Sequence, residues 1–106
     1  MRTLVFDEVD AGIGGGVAEG VGRRLKKLSA NNQVLCVTHL AQIACFADHH
    51  YFVEKREQKG RTVVTIDELD VAARTREIGR MLSGQKVTSE ALKHAERLIA
   101  MSSAKA

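Results

Sequence analysis

The stretch Thr3-Leu4-Val5-Phe6-Asp7-Glu8-Val9-Asp10 carries an apolar run straight into two adjacent carboxylates. Thr3 to Phe6 are β-formers with no polar interruption, the pattern of a strand covered on both faces, as in the parallel sheet of an α/β protein. Asp7 and Glu8 then fall at the strand's carboxyl end, the edge at which open α/β sheets bind ligands. Neighbouring carboxylates there can divide the work. One holds Mg²⁺, a hard cation that takes oxygen ligands and keeps several waters, while the other handles a water molecule. The plainer reading of the same residues is a strand that ends in a solvated acidic turn.

Next comes Asp10-Ala11-Gly12-Ile13-Gly14-Gly15-Gly16, whose four glycines in five positions make a connection able to take φ > 0 and to approach another surface closely. It is not a P-loop, because G-x-x-x-x-G-K-[ST] occurs nowhere in the chain. From Gly16 to Ala30, Val17, Val21, Leu25 and Leu28 line one helical face and leave Arg23, Arg24, Lys26 and Lys27 outside it. That basic cluster reads first as a solvated outer face complementing the helix dipole, and second as a contact for DNA. Val34 to Thr38 is another uninterrupted strand, ending at His39 before a helix from Leu40 to about Phe46. A strand-helix-strand unit makes the two strands parallel and brings Glu8 and His39 to one sheet edge.

His49 to Lys55 and Thr62 to Asp67 form a hairpin joined by Arg56 to Arg61, expected to extend the sheet. A helix follows from about Asp70 to Ser83, capped by Asp70 and stopped by Gly84. The last helix runs from about Ser89 to Met101, with Thr88 as N-cap, a Val87/Leu92 staple, and Leu92, Ala95, Leu98 and Ile99 facing inward. Ser102 to Ala106 is expected to fray. The chain's 106 residues, 44% of them hydrophobic, suffice for one small domain or part of one. No apolar run is long enough to span a bilayer and the first residues lack a signal-peptide layout, so no membrane is expected and the default location is cytoplasmic. Cys36 and Cys45 read as reduced, mostly buried thiols. Zinc ligation by these two with His39, His49 and His50 is disfavoured, because Cys36 sits inside a strand with no knuckle turn beside it. A net charge of +3 with a pI near 9.1 permits contact with phosphates without arguing for it.

Thr3 to Asp10 followed by Gly12-Ile13-Gly14-Gly15 resembles the Walker B strand and D-loop of ABC-type ATPase heads. Phe6 to Ile13, Gln33 to Ala44, His50 to Lys55 and Ile78 to Gly84 together resemble, more narrowly, the C-terminal end of the bacterial RecN family of SMC-like DNA-repair proteins. The resemblance covers nearly the whole chain. It implies an α/β fold, the C-terminal lobe of a P-loop (ABC/SMC-type) ATPase head, with residues 1–106 as a partial domain having a mainly parallel sheet core, an added hairpin and flanking helices. In the family the Walker A loop, Q-loop, coiled coil and signature motif lie upstream of the Walker B strand. Leu82-Ser83-Gly84-Gln85 imitates the signature, but it falls on the wrong side of that strand and reads as a helix end.

The cofactors implied are ATP and Mg²⁺. By the same resemblance Asp7 would hold the metal through water, Glu8 would polarise the attacking water, and His39 would be the switch histidine sensing the γ-phosphate. Asp10 and Gly12 would belong to the loop at the dimer interface of two heads. The implied partners are the N-terminal part of the same head, a second head in a homodimer, and DNA through the complete protein, at the bacterial nucleoid. The implied function is ATP hydrolysis in the repair and recombination of DNA double-strand breaks, with this chain inactive alone and exposing apolar sheet edges. The alternative from another class is a non-catalytic α/β module that binds DNA or protein.

Overall fold

The two apolar runs pair side by side in the same direction. In the computed structural model, which describes residues 2–7, 12, 14–84 and 86–105, β1 (Thr3–Asp7) and β2 (Gln33–Val37) are parallel, in register from Thr3 opposite Gln33 to Asp7 opposite Val37. Parallel strands need a long crossover, and α1 (Gly15–Leu28) supplies it. The α/β class read from the sequence is the one observed. The expected burial of both strand faces is corrected: Leu4, Phe6, Val34 and Cys36 are half-buried, while Val5, Leu35 and Val37 on the other face are 67%, 48% and 63% exposed. Successive strand side chains point to opposite faces, so an unbroken apolar strand asks for two covering layers, and among the described residues one of these faces stays open to water.

After β2 comes α2 (Ala41–Ala44), a single turn, shorter than the expected Leu40 to Phe46. β3 (Tyr51–Gln58) and β4 (Arg61–Glu68) pair antiparallel from Tyr51 opposite Glu68 to Gln58 opposite Arg61. Most of the polar stretch expected to be their loop is therefore strand. Only Lys59 and Gly60 turn, at φ 51° and 74°. A two-residue type I′ turn needs positive φ at both central positions, and its twist matches the flanking strands. The hairpin forms a sheet of its own and does not extend β1 and β2 as expected.

α3 (Val71–Ser83) and α4 (Ser89–Lys105) complete the chain. The Asp70 carboxylate accepts from the Ala73 N–H at 2.8 Å, and the Thr88 hydroxyl accepts from the Ala91 N–H at 3.0 Å. Each satisfies an N–H that has no partner within the helix. Val87 and Leu92 both lie over Gly79, where a Cβ would be 3.2 Å and 3.5 Å from them. The core gathers Ala41, Ala44, Cys45, Phe46, Ile78 and Ala95, with Met81, Leu82, Leu98 and Ile99 packed around them.

Two further helical expectations are corrected. The inward face of α1 centres on Ala18, which is fully buried, and on Gly22, while Val17 and Leu28 are 60% and 37% exposed. Gly22 matters because the Phe46 ring and the Gln42 carbonyl occupy the space a Cβ would need. The tail does not fray after Met101: α4 runs on to Lys105 and buries Ser102. The Ser102 hydroxyl lies 2.6 Å from the Cys45 carbonyl, to which the Arg74 guanidinium also donates at 2.9 Å. One carbonyl just past α2 thus holds both α3 and α4. Burial pushes the Cys45 thiol up to about 11, leaving it protonated and unreactive at neutral pH.

Replacing Gly22 by Ala is expected to cost about 1–3 kcal/mol, since the Phe46 ring has to move within a packed core; urea unfolding followed by circular dichroism measures it. A second expectation concerns His50, whose Nδ1 is buried without a hydrogen-bond partner. Burial first, and the nearby Arg74 second, hold its pKa below 6.5, with Glu77 acting the other way. Below pH 6.5 the unfolded chain takes up a proton that the folded chain refuses, so stability is full above that pH and declines as pH falls. His50→Gln should flatten that part of the urea midpoint's dependence on pH.

Candidate functional site

The parallel register decides what shares an edge. Asp7 ends β1 level with Val37, the last residue of β2, and Thr38 and His39 come next. Asp7 and His39 therefore stand at the same carboxyl edge, both exposed. Gly12, in the connection from β1 to α1, has φ 73°, a backbone conformation that L side chains rarely adopt. Glu8 and Asp10 lie outside the described residues. Of the five residues read as site residues, the structure thus describes three, with Asp7 and His39 at one sheet edge.

His39 is held by its neighbours. The Leu40 N–H donates to the Thr38 hydroxyl at 3.1 Å, folding the backbone tightly around the histidine. Leu40 is also the cap of α2, its carbonyl accepting from the Ile43 and Ala44 N–H groups at 3.1 Å and 3.0 Å. Ala41, Ile43 and Ala44 are buried and fasten that turn to the core. An imidazole carried by such a turn faces solvent from a fixed place. The role of Thr38 is not visible in the sequence pattern, which makes it the end of a strand. A threonine two residues before a helix cap was the available signal.

The edge offers hard oxygens from Asp7 and an imidazole able to donate to phosphate. A groove of about 230 Å³ lies beside the end of α1 and a pocket of about 150 Å³ beside Cys45. The signature-like Leu82-Ser83-Gly84 is a helix end, as read. Gly84 has φ 84° and its N–H donates to the Arg80 carbonyl at 2.7 Å.

No family model matches the chain. In sequence it is 56% identical over 99 residues to the DNA repair protein RecN of Deinococcus radiodurans, covering 92% of this chain and 17% of that protein. It is 47% identical over 96 residues to RecN of Rickettsia bellii, covering 91% and 18%. To RecN of Bacillus subtilis it is 40% identical over 99 residues, covering 93% and 17%. The chain spans less than a fifth of the length of these curated relatives. In structure it is similar, with a TM-score of 0.60 and 18% identity, to a chain solved in work on ATP-driven dimerization and DNA-stimulated activation of SMC ATPases. That likeness covers 79% of this chain and 50% of the other, and it bears on the fold.

Thr38→Val keeps the side chain's shape and removes the acceptor of the Leu40 N–H. The variant is expected to lose about 1 kcal/mol in urea unfolding and to show faster amide exchange at Leu40.

Proposed function

We propose that this chain, RecN-like over nearly its whole length, supplies the Walker B carboxylates, D-loop and switch histidine of an ATPase head in an SMC-like protein of DNA double-strand-break repair. The observation that carries the reading is the levelling of Asp7 with Val37, which sets a carboxylate and His39 on one sheet edge. Asp7 is a hard-oxygen ligand on an exposed edge, the type of group Mg²⁺ takes, and it fits a metal held through water. Bound with ATP, Mg²⁺ neutralises charge on the phosphates. Phosphoryl transfer depends mainly on positioning and charge stabilisation, so the remaining work falls to side chains. Glu8 orients and polarises the attacking water, His39 contacts the γ-phosphate, and Asp10 and Gly12 meet the second head of a homodimer.

The chain contains no P-loop motif, so it has no lysine and amide nest of its own for the β- and γ-phosphates. Turnover then requires the N-terminal part of the head, and the isolated chain is inactive. The complete protein meets DNA, at the nucleoid and in the cytoplasm.

Reconstitution with the matching upstream half of the head tests this. Glu8→Gln should lower ATP turnover by about 100-fold or more while ATP still binds, and His39→Ala should lower it without unfolding the chain. Unchanged turnover in Glu8→Gln removes the role given to Glu8. Unchanged turnover in His39→Ala leaves only the metal-carboxylate part standing.

A further inference from the structure

We infer that the groove at the carboxyl end of α1, lined by Arg24, Lys27, Leu28, Asn31 and Asn32, is a contact for the phosphate backbone of DNA. Charge is unevenly paired along α1. Of its four cations, Arg23 pairs with Glu19 at 3.0 Å and Lys26 pairs with Asp48. Arg24 and Lys27 are exposed, and among the described residues neither enters an ion pair. They stand three residues apart, hence on one side of the helix, and both line the groove.

Cations in a last helical turn ordinarily serve the bare carbonyls there. In α1 those carbonyls already have partners. The Ser29 N–H reaches the Leu25 carbonyl at 3.0 Å, and the Ser29 hydroxyl reaches that of Lys26 at 2.6 Å. The Ala30 N–H reaches the Lys27 carbonyl at 3.2 Å. Leu28 receives the Asn31 N–H at 3.3 Å and the Asn32 side-chain amide at 3.0 Å. Arg24 and Lys27 are left to act outward, and no carboxylate lines the groove. Asn31 adds an exposed amide, a further donor type for phosphate oxygens.

A strand backbone suits this site better than a compact anion. Both cations are exposed to solvent along an open groove, and they gain mainly by releasing counterions from a polyanion. DNA is chosen as the polyanion on the strength of the function proposed above. The test contains no ATP, so failure of the ATPase reading and failure of this one are separable.

Anisotropy of a fluorescent DNA duplex, titrated with the 106-residue chain across a salt series, decides it. Arg24→Gln and Lys27→Gln should each reduce the slope of log affinity against log salt by about 1, and together by about 2, equally for unrelated duplex sequences. Circular dichroism should be unchanged, since both residues are exposed. Arg23→Gln with Lys26→Gln, which removes the same formal charge from paired positions, should leave the slope intact. Equal losses in both double variants would reduce the effect to bulk charge and overturn the inference. So would an unchanged slope in Arg24→Gln/Lys27→Gln, absence of duplex binding by the parent chain, or displacement by inorganic phosphate at matched ionic strength.

Discussion

The parallel pairing of β1 with β2 is the constraint on which the site depends. A parallel ladder fixes which residues finish level, and here it fixes Asp7 against Val37. The carboxylate needs nothing beyond its place at the end of its strand. The histidine lies two residues past its strand, and its position follows from a second device, the Thr38 hydroxyl that accepts the Leu40 N–H. Ladder and turn therefore act in series. A one-residue slip between the strands would reverse which side chains face which way and carry Asp7 out of line with the turn.

Below the edge, helix packing depends on small residues. Ala41, Ala44 and Ala95 sit in the core, and Gly22 leaves room for the Phe46 ring. Such residues bring helix backbones close, which is why the Cys45 carbonyl comes within reach of Arg74 on one helix and Ser102 on another. The same carbonyl explains how residues as distant in sequence as 45 and 102 share one hydrogen bond.

What could be read from the sequence follows from how local each cause is. Asp70, Gly84 and Thr88 act on backbone groups within a few residues of themselves, and all three helix limits they mark are where the pattern puts them. The shared edge of Asp7 and His39 was legible because each follows an apolar run with a polar group, Asp7 at the end of β1 and His39 two residues past β2. The phase of α1 was not, because two of its four large apolar side chains, Val17 and Leu28, are exposed and its packing is set by the partner of Gly22. The order in the last turn of α4 was hidden for the same reason: Ser102 looks like a tail residue until Cys45 is beside it. The hairpin turn escaped because Lys59 adopts a left-handed conformation that lysine's own preference does not announce.

Val5, Leu35 and Val37 leave one side of the parallel sheet facing water. Any layer that covers them binds the folded chain and has nothing equivalent to hold in the unfolded one. Its free concentration then enters the folding equilibrium directly, adding RT ln(1 + [L]/Kd) to the stability. A melting temperature measured with such a layer present would then depend on its concentration, whereas one measured on the chain alone would report the uncovered sheet.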